Sequence, residues 1–208
     1  MQRETFPVGP LQCNCSILYD AEANDATVID PGGDVSRIVA FLTSKGLHLR
    51  QIVVTHAHLD HIAGAKTLSE LTHALVYLHP ADLELLSLME QQAAWIGVPT
   101  PRVGPPDVSA DDGLKLSVGQ ETGEVLYTPG HTPGSISLHF PASNLLIAGD
   151  TLFRGGIGRT DLWLGNDKLI LQSIHERLLT LPETTVVVAG HGATTTIGRE
   201  KESNPFLA

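Results

Sequence analysis

Thiols are scarce in this chain of 208 residues, which has two cysteines, Cys13 and Cys15. They stand two residues apart on a segment that reads as a strand, too close for an easy structural disulfide. That excludes a disulfide-stapled scaffold and points to a reducing, cytoplasmic setting. Cationic side chains are also few. Lys and Arg total 13 against 23 Asp and Glu, for a net charge of −10. A general nucleic-acid binder needs clustered Lys and Arg to meet phosphates, so no nucleic-acid partner is expected. Docking on an anionic membrane is disfavoured for the same reason. No apolar run approaches the roughly 18 residues of a membrane span, and Met1 to Pro7 contains no apolar signal-peptide core. The G-x-S-x-G elbow of serine hydrolases is missing. So are both glycine-rich phosphate-binding spacings, and Gly155-Gly156-Ile157-Gly158 reads as a tight loop instead. Apolar content of 42% suffices to bury a core, and residues 1–208 are read as a single domain.

What the chain does have is Thr55-His56-Ala57-His58-Leu59-Asp60-His61, directly after the apolar run Ile52-Val53-Val54. Three imidazoles and a carboxylate within six residues have no packing rationale. The layout recurs. Val125-Leu126-Tyr127 leads to His131, Leu145-Leu146-Ile147-Ala148 to Asp150, and Val186-Val187-Val188-Ala189 to His191. Each is a short β-prone run followed within a few residues by His or Asp. Nearly continuous apolar runs read as buried strands. Ligands just past their C-terminal ends would line one edge of a sheet, where sites of layered α/β proteins commonly lie.

Imidazole nitrogen and carboxylate oxygen suit zinc, iron and manganese alike. His56 and His58 point the same way in an extended segment and can share one metal with His131. Asp60 and His61, on the turn into the next helix, can face a second metal with His191. Asp150, with two oxygens, is placed between them as a bridge. The expectation is two divalent metal ions, zinc first and iron or manganese as alternatives, with a shared hydroxide between them.

These residues resemble the metallo-β-lactamase superfamily, whose T-H-x-H-x-D-H motif stands here as Thr55 to His61. Within it the chain is most similar to the short bacterial glyoxalase II (hydroxyacylglutathione hydrolase) group. Thr128 to Gly134, Gly149 to Phe153, Gly155 to Asp161 and the tail from Gly190 to Phe206 carry that likeness. The resemblance implies an α/β fold, an αββα sandwich of two mixed sheets with helices on the outer faces and the metal centre between the sheets. It covers nearly the whole chain, without the extra C-terminal helical region of full-length glyoxalase II. Ala193 stands where the family has a tyrosine. Arg159 matches a basic position that lies against the thiol carrier, and is the candidate substrate-binding residue.

The function expected is metal-dependent hydrolysis of a small thioester, such as S-lactoylglutathione or a related acyl-thiol, by the bridging hydroxide. Asp60 and Asp150 act as catalytic orienting groups. A thiol leaves easily, since its pKa is near 8.5, so the lack of an obvious acid suits a thioester better than an amide. The alternative is a mononuclear iron persulfide dioxygenase. Those enzymes look similar through Gly158-Arg159-Thr160-Asp161 and hold iron with residues matching His56, His131 and Asp150. β-Lactam or lactone hydrolysis ranks lower.

Along the chain, strands are expected at Glu4–Val8, Ser16–Tyr19, Thr27–Ile29, Gln51–Val54 and Leu75–Leu78, at several places between Leu114 and Ile147, and at Thr185–Ala189. Helices are expected from an Asp34 cap to Lys45, over Ile62–Leu71, Asp82–Trp95 and Asp167–Leu179. Pro99, Pro101, Pro105 and Pro106 stiffen the loop Gly97–Asp107, which either borders the cleft or fills surface. His79 is a candidate for the cleft wall. His48, His73, His139 and His175 are read as surface residues. Trp95 and Met89 are read as packing residues.

Overall fold

The computed structural model describes residues 1–207. The first sheet has six strands: β1 (Gln2–Val8), β2 (Cys13–Asp20), β3 (Asp25–Ile29), β4 (His48–Val53), β5 (Leu75–Leu78) and β6 (Val108–Ser109), neighbours in that order. β1 to β3 pair antiparallel and β3 to β6 parallel. Its parallel crossovers carry α1 (Val35–Lys45), α2 (Leu59–Ile62), α3 (Ala65–Thr72), α4 (Leu83–Ser87) and α5 (Met89–Ile96). The second sheet begins with β7 (Lys115–Val118), β8 (Glu121–Tyr127), β9 (Ile136–Phe140) and β10 (Leu145–Gly149). A small hairpin follows, β11 (Leu152–Phe153) with β12 (Gly156–Ile157), then α6 (Asp167–Ser173). β13 (Val186–Ala189) and β14 (Thr195–Thr196) complete the sheet, in the order β14-β13-β10-β9-β8-β7, and α7 (Ile197–Ser203) follows.

Side-chain alternation assigns the layers. In β4, Ile52 packs under the helices while Val53 faces the other sheet. In β10, Leu145 and Ile147 face the first sheet, and Leu146 and Ala148 face α6 and α7. A strand residue changes face at every step, so a run such as Leu145 to Ala148 is buried throughout only because both faces are covered. Leu18, Ile29, Val53, Val125, Leu138, Phe140 and Val188 form the layer between the sheets. The αββα sandwich, two mixed sheets with helices outside, is the architecture observed. Among the described residues, no helix is long and apolar enough to cross a membrane.

Several helices differ from the sequence reading. The segment expected at Ile62–Leu71 starts earlier, at Leu59, and breaks at Ala63–Gly64, where Gly64 N–H donates to Pro31 O (2.8 Å) before α3 restarts. Asp60 and His61 therefore lie inside a one-turn helix, not on the turn before one. The helix expected at Asp82–Trp95 is two, parted at Leu88. Asp34 begins α1, but its side chain makes no cap bond and instead accepts from Gly9 N–H (2.9 Å). α6 ends at Ser173 and the coil loosens into one π turn, Ile174–Leu178. α7 has no counterpart in the sequence reading; Thr196 caps it by accepting from Arg199 N–H.

Candidate metal centre

The strand-end residues converge, but from two sheets rather than along the edge of one. His56 and His58 follow β4 in the first sheet. His131, Asp150 and His191 follow β8, β10 and β13 in the second. The like-facing ends of the sandwich bring them together, with Asp60 and His61 contributed by α2.

Two glycines make room for this approach. Gly190 follows β13 at a point where a Cβ would sit 2.1 Å from Asp150 Oδ1 and 2.6 Å from His61 Cε1. Gly149 has φ +50°, and a Cβ there would sit 2.6 Å from Thr55 Oγ1. Glycine removes the clash at both and the strain of positive φ at the second. Neither position accepts a larger residue without moving the site.

One group is the imidazoles of His56, His58 and His131. His58 Nδ1 lies 2.9 Å from His131 Nε2, and one nitrogen of each ring lies within 4.8 Å of the others. A second group surrounds His61 Nε2, which is 3.5 Å from Asp150 Oδ1 and 3.8 Å from Asp60 Oδ2. His191 Nε2 is 3.0 Å from Asp60 Oδ2 and 3.7 Å from Asp150 Oδ2. Asp150 also reaches the first group, with Oδ2 3.7 Å from His131 Nε2. The structure thus brings all seven predicted ligands together, with Asp150 between the groups.

Hydrogen bonds fix which ring nitrogen faces inward. A backbone carbonyl only accepts, so His131 Nδ1 donates to Arg159 O (2.7 Å) and its Nε2 presents a lone pair. A carboxylate likewise only accepts, so His61 Nδ1 donates to Asp30 Oδ2 (2.9 Å). Thr55 Oγ1 donates to Asp30 Oδ2 (2.8 Å) and accepts from His56 Nδ1 (3.0 Å). Inward lone pairs held by outer hydrogen bonds are what metal-ligating histidines need.

The donor set fits a metal pair. His56 Nε2, His58 Nε2, His61 Nε2 and Asp150 Oδ1 are buried with no hydrogen-bond partner. Buried polar atoms rarely go unpaired, because each costs about 1–3 kcal/mol. Ligands about 2.1 Å from a tetrahedral zinc sit roughly 3.4 Å apart, close to the separations around His61 and Asp150. These clusters form a binuclear metal site suited to zinc, iron or manganese.

Charge within the site is divided. Burial, reinforced by neighbouring imidazoles, holds His56 and His58 well below the usual histidine range. Burial also lowers His131. It opposes charge on His61 too, yet Cys13, Asp150, Asp30 and Asp60 outweigh it and raise that pKa. Burial likewise works against ionised Asp60, but His61 and His191 prevail and hold its carboxyl below the ordinary range.

Four supporting residues escaped the sequence reading. Asp30 orients His61 and Thr55. Its signal was present, since it follows the buried run Thr27–Ile29 in the same layout as the other ligands. Asp82, read as a helix start, is a buried clamp. It accepts from Ala57 N–H (2.7 Å), Thr132 Oγ1 (2.9 Å) and Gly134 N–H (2.5 Å), tying the His56–His58 loop to the His131 loop. Asn14 Nδ2 donates to Ala189 O and Gly192 O, each 3.0 Å, and holds the His191 turn. Cys13 lies 3.5 Å from His61 Nδ1, with burial pushing its thiol up to about 12. Cys13 and Cys15 are both free.

The centre opens into a cleft of about 630 Å³. Its wall holds Trp95 and Trp163, 5.6 Å apart and edge-on, with Trp163 6.3 Å from the His58 ring. Trp95 is 60% exposed, so it is not the packing residue expected; Met89 is. Arg159 reaches the rim, but its guanidinium donates to both oxygens of Asp161 (2.7 and 2.8 Å). His79 is not in the wall; it stacks on Tyr127, 4.3 Å between centroids. The proline-rich loop does not border the cleft either, since Val103 to Asp107 pack by α3. His48, His73 and His175 are exposed, and His139 is half-buried.

The family profile described as "Metallo-beta-lactamase superfamily" matches residues 8–191. "Probable metallo-hydrolase YqgX" of Bacillus subtilis (strain 168) is 40% identical over 209 residues, covering 100% of this chain and 98% of that protein. "Hydroxyacylglutathione hydrolase GloC" of Haemophilus influenzae is 38% identical, with the same coverage. Among solved structures, BLEG-1 B3 metallo-beta-lactamase superposes with TM-score 0.92 at 38% identity, covering 99% of each chain. TTHA1623 in a di-iron-bound form gives 0.90 at 37%, covering 98% of this chain and 100% of that one. ETHE1 from Myxococcus xanthus gives 0.83 at 29%, covering 99% and 84%. By fold, donor set and these likenesses, the chain belongs to the metallo-beta-lactamase superfamily as a metal-dependent hydrolytic enzyme with a two-metal centre.

Proposed function

We propose that the protein hydrolyses a small thioester, as a glyoxalase II-like member of its superfamily. The observation that carries this reading is the convergence of His56, His58, His131, Asp60, His61, His191 and Asp150 at the floor of an open cleft, with His56 Nε2, His61 Nε2 and Asp150 Oδ1 buried and unpaired. In this reading the three histidines hold one cation and Asp60, His61 and His191 the other. Asp150 is shared. The pair of cations, when bound, supplies an activated water at neutral pH and polarises the acyl carbonyl.

The chain's own residues do the rest. Asp60 and Asp150 fix the positions from which attack is made. Asp30 and Arg159 O keep His61 and His131 turned inward. No side chain on the cleft wall besides the ligands and Arg159 is ionisable, so no separate proton donor stands ready for a leaving group. A thiolate needs none, whereas an amide nitrogen does. That chemistry, and the name of the Haemophilus relative, support a thioester over an amide. The free, buried cysteines support a reducing, cytoplasmic setting.

A second reading, a mononuclear iron persulfide dioxygenase, is also supported. His56, His131 and Asp150 meet beside the Gly158–Asp161 segment, and His131 is bonded to its backbone. The ETHE1 likeness runs along 99% of this chain, and the comparisons support this reading better than they support the thioester. One experiment separates the two. Metal is counted in protein purified without added metal. Thiol release from S-lactoylglutathione and related thioesters is then compared with oxygen uptake on glutathione persulfide. Two metals per chain and thiol release support hydrolysis. One iron and rapid oxygen consumption replace it with the dioxygenase. A chromogenic cephalosporin belongs in the panel because BLEG-1 is named a β-lactamase; turnover rivalling that of thioesters would overturn the ranking.

A further inference from the structure

We propose that the substrate carries an apolar ring beside the scissile bond, seated against the Trp95–Trp163 pair. This rests on the thioester reading and names its substrate class. Apart from five of the ligand residues, Gln92 and Arg159, the cleft wall is hydrocarbon: Leu11, Ile96, Phe153, Ile157 and Leu162 join the two tryptophans. Trp95 and Leu11 are exposed by 60% and 43%, although Met89 and Ala93 of α5, the helix that carries Trp95, are buried. Large apolar side chains left open beside a reactive centre mark where a ligand's apolar part goes. The edge-on tryptophans offer faces and edges that an aromatic ring packs against in offset or T-shaped geometry.

The polar inventory of the cleft points the same way. A highly charged thiol carrier needs cations for its carboxylates. Asp60 and Asp150 belong to the metal groups, and Arg159, paired with Asp161, is the one cationic side chain of the wall, so at most one carboxylate of such a carrier meets a cation there. The wall begins near His58, whose ring centroid is 6.3 Å from that of Trp163. That is about one ring's width, so the apolar group is the one adjoining the reacting carbonyl. Acyl-borne and thiol-borne rings share this chemistry.

The chain has two tryptophans, and both stand in the cleft, so intrinsic fluorescence reports ligand entry without any turnover. Metal-loaded protein is titrated with phenylacetate and with acetate, which share a carboxylate and differ by the ring. Phenylacetate is expected to bind about 30-fold more tightly, within the range that even one methylene gains in an apolar pocket. Trp95→Ala, at a position exposed enough to leave the core intact, cuts that ratio about tenfold, and Trp95→Phe restores most of it. Equal affinities, or a ratio indifferent to Trp95→Ala, overturn the proposal.

Thiol release is followed in parallel for phenylacetyl, acetyl and lactoyl esters of one small thiol, and for acetyl esters of benzyl and methyl thiols. A preference for a ring on either side supports the proposal and says which half carries it. Preference for S-lactoylglutathione over every ring-bearing ester overturns it. If no thioester is cleaved while phenylacetate still binds selectively, the thioester reading fails and the ring-binding cleft stands.

Discussion

Replacing Asp82 with Asn is the sharpest test of how the two ligand loops are held. Asp82 is fully buried and lies on no strand end. Its Oδ1 accepts from Gly134 N–H, and its Oδ2 from Ala57 N–H and Thr132 Oγ1. An amide has one acceptor oxygen. If that oxygen keeps Ala57 and Thr132, the NH₂ group confronts Gly134 N–H and leaves a buried donor unpaired, at about 1–3 kcal/mol. The surviving bonds also lose their charge assistance, and bonds to charged groups contribute about 1.5–3 kcal/mol each. Part is returned, because burial already pushes the Asp82 carboxyl pKa up against its three donors and the neutral amide escapes that penalty. The net loss is about 2–4 kcal/mol. For a domain of this size a kcal/mol shifts Tm by about 2–4 °C, so Asp82→Asn lowers Tm by about 5–15 °C. Denaturant unfolding of the metal-free protein, with wild type beside it, measures the loss directly. Metal occupancy should fall as well, because Ala57 separates two ligands of the three-histidine group. A loss under about 1 kcal/mol with full metal content would refute the clamp.

Asp150→Asn should keep the far-UV circular dichroism of the wild type but bind fewer metal ions, with turnover down by more than about a hundredfold, beyond the effect of losing an outer-shell partner. Retained activity would remove Asp150 from between the two groups. Arg159→Ala leaves its backbone carbonyl on His131, so KM should rise severalfold with kcat within about twofold; an unchanged KM would take the side chain out of the site. In the metal-free protein, the depressed pKa values of His56, His58 and His131 give stability fully present above the unfolded value of about 6.5 and lost as pH falls through the folded values. His61 and His191, with raised values, act oppositely, contributing below about 6.5 and losing that contribution as pH rises. Unfolding midpoints measured from pH 8 to 5 should show an acid limb that is shallower in His56→Gln; equal slopes would contradict the assignment.

The sequence alone determined the longer strands and the chemistry they carry, but not the two-residue strands β6, β11, β12 and β14. Apolar runs buried on both faces are nearly continuous, so β4, β8, β10 and β13 announce themselves, and a metal-binding residue after each has no packing rationale. The seven converging side chains were all legible for that reason. Residues that act at a distance in the chain were not. Asp82 meets Ala57 and Gly134 across separations of 25 and 52 residues, and Asn14 reaches the His191 turn across 175 and 178. No local pattern encodes a hydrogen bond between segments whose proximity depends on how two sheets stack. Trp95 shows the same limit. Its helix has an apolar face like any packed helix, and only the sandwich decides that this tryptophan stands in an open cleft beside the metals. Propensity and periodicity are properties of neighbours along the chain, whereas exposure, clamping and cleft shape are set by what the other layer leaves uncovered.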